Sequence, residues 1–275
     1  MGIGIHEYKF LKKCSKFDGL GNTITIGRQQ LFYDGRAAHA IDTQPSYCEH
    51  VLIQEFGSSN VDSIDVSSYE GATIVHDLNM PIESEKLLSS YDTVYDGGAL
   101  EHIFDINVAL TNIHNLLKPG GRVIHVVPSN NQCGHGFYQF SPELFFSIYS
   151  PVNGFEKCEI YIAVTGRDRS LYRVAVPVNG LRQSFRSVSP ANILVVATKD
   201  GINRMSRSGN RLQVSQSDYQ YHWEGVEVSN KSKVKTLIKS NRLLFKIIYP
   251  IYRFYYWNVL SWISDLNPDL KKVKW

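Results

Sequence analysis

The chain has 275 residues, 43% hydrophobic and 20% charged, with a formal net charge of +3; these are ordinary values for a globular protein with room for one large α/β domain plus an appendage. Four cysteines, Cys14, Cys48, Cys133 and Cys158, lie far apart with no CxxC pair and no local Cys/His cluster, which argues against a structural zinc site and a disulfide framework. Residues 201–275 hold 13 Lys/Arg against 5 Asp/Glu, leaving 16 against 21 in residues 1–200, so an acidic body carries a basic tail suited to an anionic partner.

The opening MGIGIHEYKF lacks a basic segment followed by an apolar core, so no secretory signal is expected and a reducing cytoplasmic setting is the default. The first twenty residues suit a helix or arm. Asn22–Gln29 reads as a short strand running into Gly27. Ala37–Phe56 is expected to be helical and to end at Gly57. Val61–Ser67 is the second strand, Tyr69–Gly71 a turn, and Ala72–Asn79 the third strand. Pro81 breaks the chain, and IESEKLLSS after it offers a short helix. Tyr91–Gly97 is the fourth strand. Val108, Leu110, Ile113, Leu116 and Leu117 space an amphipathic helix that ends at Pro-Gly-Gly. GRVIHVVP is the fifth strand, and Ser141 with Pro142 opens another helix. CEIYIAVT and ANILVVATK are two further strands, placed together at one edge. Strands alternating with helices predict a parallel sheet. No internal repeat is present.

Two stretches carry the strongest functional signal. YDTVYDGGALEHIF (Tyr91–Phe104) is a buried strand ending in Asp96, two glycines and the Glu101-His102 pair; LKPGGRVIHVVPSNN (Leu117–Asn131) is a helix end, a break and another buried strand. Open α/β sheets place ligands at such strand ends. Across residues 20–200 this vocabulary resembles the class I S-adenosylmethionine (SAM) dependent methyltransferases. The resemblance implies an α/β, Rossmann-like, seven-stranded and mostly parallel sheet with helices on both faces. It also implies SAM as cofactor. Gly27, Arg28 and Gln29 then form the loop at its amino-acid end. Asp65 and Val66 face the ribose; Asp77, Leu78 and Asn79 face the adenine; Gly97, Gly98 and Ala99 allow close approach. The first loop, IGRQQ, departs from the usual glycine-rich pattern, with Arg28 and Gln29 where small residues are common. A subgroup with an LGRQ-like loop and an HGFYQFSP-like segment is similar, and that subgroup accompanies glycan biosynthesis. Asp65 and Asp77 also have a plain reading as turn caps.

Methyl transfer needs an acceptor held in line and sometimes a base. His135, between Gly134 and Gly136, and His102 are the candidate bases, with Tyr138 and Gln139 lining the same opening; the resemblance equally allows His102 a purely structural role. His76, His114 and His125 are expected in the core or on the surface. No carboxylate triad calls for a metal, so none is expected. After Asp200 the texture turns polar. Residues 201–232 suit a linker or flap, and 233–275 a basic aromatic helical extension. Its Trp, Tyr, Lys and Arg content suits a membrane-surface helix at the inner face of the membrane as well as packing on the body or a homodimer interface. Nucleic acid is not expected as a partner. The expected activity is SAM-dependent methylation of a hydroxyl on a small molecule, a sugar or glycan precursor foremost, inside the cytoplasm. The alternatives are a scaffold that kept the fold without the cofactor and a nicotinamide-dependent oxidoreductase.

Overall fold

The computed structural model describes residues 2–33, 47–165, 170–177, 185, 187, 189–202, 212–216, 246, 248–251, 254 and 270–273. In chain order the elements are β1 (Gly2–Ile3), α1 (Ile5–Cys14), β2 (Gly21–Ile26), β3 (Gln30–Leu31), α2 (Glu49–Gln54), β4 (Ser58–Asp65), β5 (Ile74–Val75), β6 (Tyr91–Asp96), α3 (Ile106–Leu116), β7 (Leu117–Asn130), α4 (Pro142–Ile148), β8 (Phe155–Val164), β9 (Leu171–Val174), β10 (Ala191–Lys199) and β11 (Leu270–Val273). Short 3-10 turns cover Leu100–His102 and Pro151–Asn153.

The strands β2, β4 to β11 form one sheet in the order β11-β9-β8-β10-β7-β6-β2-β4-β5, while β1 and β3 pair separately. Pairing is parallel from β5 through β7 and antiparallel from β7 through β11. The expected seven-stranded, mostly parallel sheet is thus corrected to nine strands of mixed direction. Two features account for the difference. First, β10 does not pair with β8 alone at the edge; it inserts between β7 and β8, bonded to both. Second, β9, in a stretch whose polarity hid it, and β11, from the basic tail, extend the β8 side. A bare strand edge invites unwanted pairing. β11 covers β9, and its Lys271 and Lys272 are exposed there. The tail is therefore not helical throughout, although residues 248–251 are. Among the described residues no helix is long and apolar enough to cross a membrane.

Successive strand residues face opposite sides of a sheet. Val94 and Val123 enter a core with Leu110 and Ile113 of α3 and Phe145 and Ile148 of α4. Their neighbours Tyr95 and Ile124 enter the other core, with Phe10 and Leu11 of α1 and Val51 and Leu52 of α2. Helices accordingly cover both faces, as strands buried on both sides require. The helix expected over Ala37–Phe56 is α2 where it is described, and residues 34–46 lie outside the described set. The third strand is only Ile74–Val75, and no helix follows Pro81; residues 85–89 make turns, with Ser89 at φ +50°. Asp105 accepts from Val108 N at 3.1 Å and Ser141 from Glu143 N at 3.2 Å, capping α3 and α4. The far end of α3 is closed by the buried Lys199, whose Nζ donates to the carbonyls of His114 and Leu117 at 2.9 and 3.0 Å.

Candidate functional site at the carboxyl ends of the parallel strands

The chain leaves β6 through Asp96-Gly97-Gly98-Ala99 into the turn Leu100–His102. Asp96 is fully buried. Its Oδ1 accepts from Ala99 N at 2.8 Å and Leu100 N at 3.3 Å, and its Oδ2 accepts from His125 Nδ1 at 2.7 Å. With that proton on Nδ1, His125 Nε2 accepts from the hydroxyl of Tyr149. Burial drives the Tyr149 phenol well above its ordinary value, which keeps it a donor. The carboxylate thus fixes the backbone of the strand-end turn, and His125 is a core residue. Gly98 sits at φ +99°, where glycine is favoured.

Gly27, at φ +70°, ends β2 and donates to Ile64 O at 2.8 Å, tying the ends of β2 and β4 together. The next two side chains diverge. Arg28 turns outward: Nε donates to Glu49 at 2.6 Å, Nη1 to Glu70 O at 2.7 Å, and the guanidinium stacks 3.9 Å over the Tyr47 ring. Gln29 turns inward and is fully buried. Its Nε2 donates to Ile26 O at 2.6 Å, while its Oε1 has no partner among the described residues. That oxygen faces Gly97: a Cβ there would lie 2.5 Å from Gln29 Oε1 and 2.9 Å from the Tyr95 hydroxyl, itself buried with no hydrogen-bond partner among the described residues. Gly2 N, in β1, donates to Gly97 O at 3.3 Å. Strand β1 therefore borders this end of the sheet edge.

Toward β4 and β5 the edge is open. Asp65, half-buried, accepts only a long bond from Ser67 N at 3.4 Å among the described residues, and Val66 is 67% exposed. Asp77 accepts from Asn79 N at 2.9 Å and Asn79 Nδ2 at 2.8 Å, and these bonds hold its carboxyl below the usual range. Asn79 Oδ1 in turn accepts from Asp105 N at 2.9 Å, linking this loop to the start of α3. Leu78 is a core residue beneath them.

The third group stands over β6. Glu101 is fully buried, and neither carboxyl oxygen has a hydrogen-bond partner among the described residues. His135 Nε2 lies 3.3 Å and His102 Nε2 4.0 Å from Glu101 Oε1, and the two imidazoles meet edge to face at 5.4 Å. Burial, then the charge of Asp96, pushes the Glu101 carboxyl up to about 8; burial, then His135, lowers His102. Phe137 N donates to Glu101 O at 2.8 Å. Gly136 sits at φ +83°, where a Cβ would lie 2.8 Å from that same oxygen. The His135 loop thus packs on Glu101 closer than a side chain at 136 would allow. Tyr138 donates its hydroxyl to Phe104 O at 2.7 Å and is bound to the rim. The sequence brought attention to both histidines; Glu101, the buried member between them, is the one it undervalued. A surface cleft of about 460 Å³ is lined by residues such as Phe146, Val152 and Val214. Among the described residues it shares none with these strand ends and has Glu143 as its one titratable lining group.

No family model and no curated protein matches this chain. Among solved structures it is similar to a SAM-dependent methyltransferase from Thermotoga maritima, at 14% identity over 71% of this chain and 91% of the other, with a TM-score of 0.42. It is also similar to the 1,6-didemethyltoxoflavin-N1-methyltransferase of Burkholderia thailandensis bound to 1,6-didemethyltoxoflavin and S-adenosylhomocysteine, at 14% identity over 71% and 78%, with a TM-score of 0.40. Likeness at this level decides nothing about activity.

Proposed function

We propose that the chain is a SAM-dependent methyltransferase acting on a hydroxyl of a small molecule, with a sugar or glycan precursor as the favoured acceptor. One observation carries the reading. Of the five buried side-chain atoms without a partner among the described residues, four belong to Gln29, Tyr95 and Glu101, at the ends of β2 and β6. Buried polar atoms are normally satisfied, and a cluster left open asks for a polar ligand. Gln29 Oε1, aimed at Gly97, suits the ammonium of an amino-acid moiety. The open carboxylate of Asp65 suits two ribose hydroxyls. Val66, Asp77, Leu78 and Asn79 would border the adenine, and Gly27, Gly98 and Ala99 would allow close approach. Arg28, held by Glu49 and Glu70, shapes the loop from outside.

SAM supplies an electrophilic methyl: its carbon–sulfur bond breaks as the carbon–oxygen bond forms, and the acceptor loses a proton. His135 and His102, both half-exposed over Glu101, are the groups placed to manage that proton. Tyr138 orients the rim. The basic tail is assigned to an anionic surface, and failure of the full chain to sediment with anionic vesicles at low salt would refute that assignment.

A second reading has its own support. Gln29 and β1 fill the crevice at the amino-acid end, which suits a scaffold that does not take the cofactor. Isothermal titration separates the two. Heat with SAM and S-adenosylhomocysteine, weakened in Asp65→Asn, supports the enzyme. No heat and no thermal shift with either overturns it, and binding of a nicotinamide dinucleotide instead points to an oxidoreductase.

A further inference from the structure

We propose that Glu101, His102 and His135 form a three-ligand site for a divalent first-row transition cation. One ligand atom from each residue lies within 4.8 Å of the others, with Glu101 Oε1 3.3 Å from His135 Nε2 and 4.0 Å from His102 Nε2. A cation about 2.0–2.2 Å from each ligand holds the ligand atoms roughly 3.0–3.6 Å apart. Closing the triangle therefore needs a contraction of about 1 Å, within reach of small rotations of the two half-exposed imidazoles.

The independent observation is Glu101 itself. Its side chain is 1% exposed, and both oxygens lack hydrogen-bond partners among the described residues. Keeping a carboxyl buried with no hydrogen bond is costly. A cation between it and the imidazoles removes that cost, with the neutral nitrogens as co-ligands. The backbone sets the geometry. Glu101 and His102 share one 3-10 turn, anchored by Asp96, and the Gly134–Gly136 loop is bonded to Glu101 O through Phe137 N.

Two imidazoles and one carboxylate select Zn²⁺, Co²⁺, Mn²⁺ or Fe²⁺ over Mg²⁺ and Ca²⁺, which prefer all-oxygen shells. Three protein ligands leave positions open, as at catalytic rather than structural metal sites. The exposed side of the cluster is the imidazole side, so those positions face solvent and suit oxygen donors of an acceptor. That role rests on the methyl-transfer reading, in which a bound cation would acidify the acceptor hydroxyl in place of a free imidazole base; the cation site itself does not rest on it.

The test uses the full chain, stripped with chelator and free of SAM. Co²⁺ is followed by its visible absorption and Zn²⁺ by titration calorimetry. The expected result is one ion per chain, with affinity reduced about tenfold or more in Glu101→Gln and in His135→Ala, and unchanged in His76→Ala, which lies outside the cluster. Circular dichroism confirms that each variant is folded, and Glu101→Gln keeps the side-chain volume so that its loss reports ligation. Absence of Co²⁺ and Zn²⁺ binding in the wild-type chain, or binding indifferent to Glu101→Gln, overturns the proposal. SAM titration of the same samples reads the methyltransferase proposal separately, so either can fail alone.

Discussion

Asp96 is the residue whose loss should damage the strand-end turn most. It is fully buried and accepts three bonds, from Ala99 N, Leu100 N and His125 Nδ1. Asp96→Ala strands two backbone donors and the inner nitrogen of a buried imidazole. Leaving a buried donor unsatisfied costs about 1–3 kcal/mol, and with three donors stranded a loss of about 3 kcal/mol or more is expected. Asp96→Asn keeps Oδ1 as acceptor for the two backbone donors but exchanges charged for neutral bonds, and its amide forces the other tautomer on His125. A loss of about 2 kcal/mol is expected there. Urea unfolding followed by circular dichroism at pH 7 measures both. Titration with S-adenosylhomocysteine at a temperature where each variant remains folded measures whether the turn still presents Gly97 and Glu101. If Asp96→Ala falls within about 1 kcal/mol of the parent chain, or if Asn is as harmful as Ala, the carboxylate does not organise this turn.

Burial lowers His114 from 6.5 to about 4. The unfolded chain therefore binds the extra proton: stability is full above pH 6.5 and falls by up to about 3 kcal/mol as pH drops to 4, and His114→Gln should flatten that slope in urea titrations at pH 7 and 4.5. Gln29→Ala discriminates by sign: if Oε1 receives the cofactor ammonium, affinity for S-adenosylhomocysteine falls by about 1.5–3 kcal/mol, whereas tighter binding in calorimetry shows that Gln29 obstructs the crevice.

The parts of the fold visible in the sequence are those set by local chemistry. β2, β6, β7, β8 and β10 each contain a run of buried apolar or β-branched residues, β4 shows only Val61 and Ile64 among polar neighbours, and Asp105 and Ser141 cap α3 and α4 in the ordinary way. Gly27 takes the positive φ that its place at a strand end suggests. What the sequence hides is decided at a distance. β11 is four residues, LKKV, whose strand character comes from the open edge of β9 about a hundred residues earlier. IESEKLLSS carries a short helical pattern, but a lone turn or two cannot offset the cost of nucleation, and the segment stays in turns. His125 gives no local sign of its partners, because Asp96 and Tyr149 reach it across separations of 29 and 24 residues. Glu101 looks like an ordinary surface carboxylate until Gly136 brings the His135 loop down upon it.

The same loop pair explains why IGRQQ can stand where small residues are usual. A glycine-rich turn leaves its crevice empty and offers backbone donors to a ligand. Here Arg28 leaves the crevice and braces the loop through Glu49, Glu70 and Tyr47, while Gln29 enters it and caps the last carbonyl of β2. Gly97 then has to be glycine, because Gln29 Oε1 occupies the place of its side chain. The loop has exchanged a flexible backbone cradle for a fixed side-chain acceptor. On the proposed methyl-transfer reading, a site built this way would favour a cationic group at that end and lose less ordering entropy on binding than a mobile turn would. It also leaves less room: β1 and Gln29 bound the crevice, so any ligand there must extend toward Asp65 and Asp77, the side of the edge that the chain leaves open.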